Sequence, residues 1–329
     1  NLRTQPFFLV DLQSMIRTIL SRYVSSNFWS RGATFFFTIF PAFILAATAL
    51  PACGGGTASG SDRTLAVTIE PQKYFIESIA DKSVQVVALV PAGSNPEEYD
   101  PSPTVMKRLS EADAYFYIGG LGFEQRNLAA IRDNNPKLPL FEMGKALADA
   151  GSADLHGSCT DHSHTDLHAH DPHYWSSVVG AKALSRAAYD ALVELYPNEK
   201  DKWDKGHDRL NGRIDSVKRL VDTMFANGKA DKAFVIYHPS LSFFAQEFGL
   251  RQIVIEEDGK EPTAAHLRRV IDQARADGVR IVFIQPEFET RQAEDIAREI
   301  GARPVRINPL RSSWEEEILH IARALAHER

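Results

Sequence analysis

Glu199-Lys-Asp-Lys-Trp203-Asp-Lys-Gly206-His-Asp-Arg-Leu210-Asn-Gly212-Arg-Ile214-Asp-Ser-Val217-Lys-Arg-Leu-Val221-Asp-Thr-Met224-Phe-Ala226 decides how this chain is arranged. Trp203, Leu210, Ile214, Val217, Val221 and Met224 recur at spacings of three, four or seven, which puts them on one helical face. The spacing predicts a single amphipathic helix over residues 199–226, about 42 Å long at roughly 1.5 Å per residue. Gly206 and Gly212 interrupt the segment and its apolar seam is short, which argues against a coiled-coil dimer. A helix of this length between two differently folded stretches reads as a stiff strut that limits how far they hinge.

On both sides of the strut, short β-rich runs alternate with helical patterns, the mark of an α/β protein with mostly parallel sheets. Before it, strands are expected at 65–69, 84–90 and 114–118, with helices at 71–79 and 103–112. After it, strands are expected at 233–237, 252–255, 280–284 and 304–307, with helices at 264–276 and 291–300, each closed by a glycine, Gly278 and Gly301. Ser313-Trp-Glu-Glu316 has the form of a capping box opening a last helix with Trp314, Ile318, Ile321 and Leu325 inward. The fold expected is therefore two α/β lobes, each a mostly parallel sheet flanked by helices, joined by one long rigid helix. The boundaries drawn are 64–196 for the first lobe, 197–227 for the linking helix and 228–329 for the second lobe.

The first fifty residues are sequence of another kind. Arg17, Arg22 and Arg31 precede the apolar run from Ala33 to Leu50, and Pro51-Ala52-Cys53-Gly54 follows. A basic flank, an apolar stretch and small residues make an export signal, while Pro41 and the small residues at the end of the run argue against a true membrane span. Leu50-Pro51-Ala52-Cys53 resembles a bacterial lipoprotein signal in which Cys53 becomes the acylated first residue. Residues 1–53 are thus expected to be an export segment, with those before Met15 upstream of the true start, and the Gly- and Ser-rich 54–63 a flexible tether. Cys159 is the other of only two cysteines, so no disulfide framework is expected once Cys53 carries lipid. A net charge of −6 without a basic block argues against nucleic acid as a partner.

Six of the eleven histidines fall in one polar stretch: His156, His162, His164, His168 and His170, in a loop at 155–170, and His173 just beyond it. Neutral imidazole is the commonest protein ligand for divalent metals, and interleaved Asp and Cys strengthen that reading. Such a set favours zinc over magnesium or calcium, which prefer oxygen. Gly, Ser, Thr and Asp make the loop a poor core segment, so its five histidines are expected to form a weaker, exposed store.

Ligands in open α/β sheets bind beyond the carboxyl ends of the strands. There the chain offers His238 after Ala233-Phe-Val-Ile-Tyr237, Glu97 and Glu98 in the loop after the second strand, Glu287 in Gln285-Pro-Glu287, and Asn308 after the final strand. His173 follows the His-rich loop in Asp171-Pro-His173-Tyr-Trp and is expected to open a helix. Two imidazoles with one or two oxygen donors from both lobes complete a four-coordinate zinc site.

Taken in order, Asn95-Pro-Glu-Glu-Tyr-Asp-Pro-Ser-Pro103, the His-rich loop, Asp171-Pro-His-Tyr-Trp175, Val235-Ile-Tyr-His-Pro-Ser-Leu-Ser-Phe-Phe244, Phe283-Ile-Gln-Pro-Glu-Phe288 and Ile307-Asn-Pro-Leu310 resemble the metal-binding lipoproteins of bacterial zinc and manganese ABC transporters. The resemblance spans about residues 63 to 329, and the acidic His-rich loop is similar to that of the zinc branch. It implies two lobes with metal between them, imidazole ligands at His173 and His238, and Glu97 where the family usually has His. Asn308 corresponds to the late acidic ligand of some members. The fourth donor stays open among water, Asn308 and Glu287, and a carboxylate in place of an imidazole keeps manganese or iron in view.

The function so implied is that of a binding protein, not an enzyme. It captures zinc outside the cytoplasm, in the periplasm or at the cell surface, as a lipid-anchored monomer, and passes the metal to an ABC permease. A manganese- or iron-binding protein of the same transporter type is one alternative, and a zinc buffer or adhesin another. A secreted zinc hydrolase, with Glu98 as base, is a third, but the chain has neither a His-Glu-x-x-His helix nor a Gly-x-Ser-x-Gly elbow.

Overall fold

A computed structural model describes residues 63–149, 171–226, 228, 230–257, 259–288 and 290–327. The export segment, the tether, Cys53, Cys159 and all five loop histidines lie outside the described residues.

Two four-stranded parallel sheets are built in the same way. The first contains β1 (Thr64–Val67), β2 (Gln85–Ala88), β3 (Ala114–Tyr117) and β4 (Leu140–Glu142) in the order β2-β1-β3-β4. Its helices are α1 (Glu70–Ala80), α2 (Pro103–Ser110), α3 (Gly122–Asn134) and α4 (Lys145–Asp149). After a 3-10 turn at His173–Ser176 comes α5 (Val178–Leu195), and a second such turn at Pro197–Glu199 leads into α6 (Lys200–Ala226), the expected strut. The second sheet contains β5 (Ala233–Ile236), β6 (Arg251–Val254), β7 (Ile281–Ile284) and β8 (Arg303–Arg306) in the order β6-β5-β7-β8. Around it lie α7 (Ser242–Glu247), α8 (Ala264–Ala276), α9 (Thr290–Ile300) and α10 (Trp314–Ala326).

Alternation along the strands explains the layers. Phe234, Ile236, Ile281, Phe283 and Val305 face inward and join one continuous apolar cluster that runs through α5, α6 and α10 to β1 and β3. Ala233, Val235, Val282 and Ile284 face the other way, against Val270 and Ala274 of α8 and Ile296 of α9. Because the inner cluster is shared, the sheets are tied by packed side chains as well as by the strut. On α6, Trp203, Gly206, Leu210, Ile214, Val217 and Val221 are buried. Gly206 is no defect there: a Cβ at that position would stand 2.2 Å from the Ile79 carbonyl oxygen, so its absence lets α6 approach the end of α1.

Several expectations need correction. Apart from β7, the expected strands end a residue or two earlier than their apolar runs; after β1 this is because Ile69 already serves as N-cap of α1 while staying buried. β4, α3, α4 and α7 were not anticipated. His173 opens no helix directly; it sits in a 3-10 turn, and Ser177 caps α5 by accepting from the Gly180 N–H at 2.9 Å. Nor is there a capping box at Ser313, whose side chain caps nothing. Glu317 turns back instead to accept from the Asn308 N–H at 2.6 Å, while Glu316 pairs with Arg311. Among the described residues no helix is long and apolar enough to cross a membrane.

Candidate metal centre

The parallel sheets direct their carboxyl ends to one region. β2 leads through the 91–102 loop to Glu97, β5 leads to His238, β6 to Glu256 and β7 to Gln285. His173 arrives from the turn ahead of α5. One ligand atom each from Glu97, His173 and His238 lies within 4.8 Å of the others, the one such group of His, Cys, Asp and Glu side chains among the described residues.

The two imidazoles meet edge to face, Nε2 to Nε2 at 3.0 Å. Each Nδ1 is already engaged: that of His173 with Asp171 Oδ1 at 2.8 Å and that of His238 with Glu256 Oε2 at 2.9 Å. A carboxylate accepts, so each Nδ1 donates its proton there, and a ring without a second proton presents its Nε2 lone pair to the same point. Two lone pairs at this distance repel unless a cation or proton lies between them. Zinc–nitrogen bonds of about 2.0–2.1 Å in a tetrahedron set the nitrogens roughly 3.3 Å apart, so a small parting of the rings admits the ion.

The Glu97 carboxylate divides its oxygens. Oε2 accepts from the Gly122 N–H at 2.7 Å, whereas Oε1 is buried without any hydrogen-bond partner. A buried carboxylate oxygen without a donor is costly, and a metal ion is the partner that its position beside two imidazoles calls for.

The surroundings fix the rings. Phe288 stacks on His238 with centroids 4.8 Å apart and planes at 17°, and Trp175 lies 5.1 Å from His173. The His238 N–H donates to Gln285 Oε1 at 3.0 Å, and Gln285 Nε2 donates to Ser240. Ser242 donates to the second oxygen of Asp171. Burial opposes a charge on His173, but the Asp171 hydrogen bond and the charges of Asp171, Glu97 and Glu256 outweigh it and raise its pKa above the usual 6.5. Asp171 shows the converse. Burial would push its carboxyl up, yet bonds from the His173 ring and backbone and from Ser242, with the His173 charge, hold it below the usual carboxylate range.

Of the described residues singled out from sequence, Glu97, His173 and His238 come together, and Glu98 and Glu287 are not in that group. Glu98 is exposed. Glu287 stands outside the group, its carboxyl pushed up first by burial and then by Glu317, with Oε1 buried and unpartnered. The Asn308 amide oxygen accepts from the Leu310 N–H at 3.1 Å. Sequence reasoning missed Asp171 and Glu256 as ring-orienting partners, and Gly122. The first carried a signal, standing two residues before His173; Glu256 lies just past β6, adjacent to His238 only once β5 and β6 pair.

Two parallel α/β lobes on one long helix, with two oriented imidazoles and a carboxylate between them, define a metal-binding protein of the solute-binding type. The chain belongs to the family described as zinc-uptake complex component A, periplasmic, which matches residues 65–326. That family is one of binding proteins rather than enzymes. The chain is 25% identical over 279 residues to the zinc-binding lipoprotein AdcA of Streptococcus pneumoniae, covering 83% of this chain and 55% of the relative; it therefore spans about half the length of that protein. It is 25% identical over 291 residues to the high-affinity zinc uptake system protein ZnuA of Bacillus subtilis, covering 85% and 89% of the two. A crystal structure of ZnuA superposes with a TM-score of 0.70 at 30% identity, over 81% of this chain and 98% of that one.

Proposed function

We propose that this protein captures a zinc ion outside the cytoplasm through Glu97, His173 and His238 and passes it to a membrane ABC permease. The observation that supports this most directly is the pair of Nε2 atoms 3.0 Å apart, each ring held at Nδ1 by its own carboxylate. Three donors leave one position of a four-coordinate ion for water, Asn308 or Glu287, a place from which the metal can be exchanged. A nitrogen-rich set favours zinc, while the Glu97 oxygen keeps manganese or iron within reach. Relatives named as a zinc-binding lipoprotein and a zinc uptake protein support the same reading. We assign Cys53 as the lipid-bearing residue that would hold the protein at a membrane surface, and the 155–170 histidines as a second, weaker metal store.

Competition titration of the exported protein with zinc and manganese tests this. The intact protein binds one zinc tightly and prefers it to manganese. His238→Ala weakens zinc by at least about tenfold, or about 1.4 kcal/mol, whereas Glu97→His keeps or raises zinc affinity. Unchanged affinity in His238→Ala would sink the assignment, and tighter manganese than zinc would make the cargo manganese.

A further inference from the structure

A Glu stands at position 97, and its two carboxylate oxygens meet different surroundings. Gly122 is the first residue of α3, and its N–H takes Glu97 Oε2 at 2.7 Å. A Cβ on Gly122 would lie 2.3 Å from the Glu97 carbonyl oxygen and 2.9 Å from Oε2, so only glycine allows this approach. Arg126, one turn along α3, donates to that same carbonyl at 2.6 Å and to Tyr99 O at 3.3 Å. The Phe123 N–H reaches Pro96 O at 2.9 Å, so the start of α3 grips the loop on both sides of Glu97.

The grip is itself held from behind. Glu124, only 2% exposed, accepts through Oε1 from the Ile118 N–H at 2.7 Å and from Thr68 Oγ1 at 2.5 Å. Its Oε2 accepts from the N–H groups of Gly119, Gly120 and Leu121 at 2.8, 3.1 and 3.3 Å. Gly119 and Gly120 take φ of +93° and +145°, a path closed to most side chains. One buried carboxylate thus gathers the whole turn after β3 and sets where the Gly122 N–H points.

We propose that Gly122, backed by Glu124 and Arg126, is a specificity-determining element: it occupies Glu97 Oε2 and leaves Oε1 alone to bind, so that the site favours a four-coordinate ion such as zinc over ions that take chelating carboxylates and more ligands. This rests on Glu97 being a ligand, as proposed above. The chemistry follows from coordination preference. Zinc accepts single carboxylate oxygens in a tetrahedron, whereas harder ions gain from a second oxygen and an expanded shell. Releasing Oε2 would let the same side chain chelate.

Cobalt(II) reports this directly, since its visible absorption is intense when four-coordinate and weak when five- or six-coordinate. The experiment records cobalt spectra and zinc and manganese affinities for the full chain, Glu97→Ala, Gly122→Ala and Arg126→Met. The parent should give the intense band, and Gly122→Ala a weak one with a zinc-to-manganese preference reduced by about 10- to 100-fold. Arg126→Met alters only an exposed side chain, so it serves if Gly122→Ala fails to fold; it should shift spectrum and preference the same way by a smaller factor. Parent-like spectra and preference in a folded Gly122→Ala, or in Arg126→Met should the glycine variant not fold, overturn the proposal while Glu97→Ala still weakens zinc. Zinc affinity unchanged in Glu97→Ala removes Glu97 from the site and overturns both readings at once.

Discussion

The Trp314 indole N–H donates to the carbonyl of Trp175 at 2.6 Å, which fastens the turn carrying His173 to the first residue of α10. Trp175 in turn donates its indole N–H to Pro309 O at 3.0 Å, and Glu247 of α7 accepts from the Val178 N–H at 2.7 Å. The His173 turn precedes the strut in sequence, yet these bonds run to segments that follow it, while the Tyr174 hydroxyl donates to Ile118 O of the first lobe at 2.7 Å. His173 is therefore fastened to both lobes, with His238 supplied by the end of β5 and Glu97 by the loop after β2.

Replacing Trp314 by Phe keeps the ring packing but leaves the Trp175 carbonyl without its donor. A buried unsatisfied group costs about 1–3 kcal/mol, so the melting temperature should fall by several degrees for a chain of this size. Zinc affinity should fall with it, because His173 loses a restraint. A melting curve and a zinc titration check both. Lower stability with unchanged zinc affinity would show that the turn is held without this bond.

Asp171 links ring geometry to proton competition. In the metal-free protein His173 has a raised pKa, so it binds a proton at pH values above the usual 6.5. Zinc needs that Nε2 free, so binding displaces the proton. Apparent affinity therefore declines as pH falls through the raised value, and zinc uptake near neutral pH releases protons to the buffer. Asp171→Asn removes the largest influence that raises His173, which moves the decline to lower pH. The same change frees the ring and lowers the plateau affinity by about 10- to 100-fold. Calorimetry in buffers of different ionisation enthalpy counts the protons, and an affinity profile of Asp171→Asn parallel to the parent's would refute the link.

What could be read in the sequence was what local chemistry announces. β5 and β7 are unbroken apolar runs, Ala233-Phe-Val-Ile and Ile281-Val-Phe-Ile, each closed by a polar residue and a proline, and α6 has a clear stripe. That His173, His238 and Glu97 were candidates followed from their places after such runs or beside prolines, and the structure brings the three together. A helix was expected to open at His173, but the extent of α5 was not legible, because Ala181, Leu184, Ala188 and Leu192 are buried with glycine and serine between, which blurs any stripe. α3 escaped for the opposite reason, showing little inward beyond Phe123 and Ile131. Ser313 misled because a cap depends on backbone angles: at φ −83° and ψ 70° its hydroxyl cannot serve the helix. Glu256 and Gly122 had no local signal, since their roles exist only after β5 and β6, distant in sequence, pair or a helix start meets a distant loop.

The 155–170 segment offers a test that needs no knowledge of its shape. Its histidines are set among Gly, Ser and Asp, so gathering them around a metal costs chain entropy that the oriented His173–His238 pair does not face. Any metal they hold should be weaker than the central ion. It should also be lost below about pH 6, where ordinary imidazoles with pKa near 6.5 take up protons. Deleting residues 156–169 spares Asp171 and His173, so total zinc at neutral pH should drop while one tight site remains. Elemental analysis of the deleted and intact proteins after equilibration with excess zinc decides it. Equal zinc content in the two would mean that the segment is a spacer and that all the metal chemistry of this chain resides at Glu97, His173 and His238.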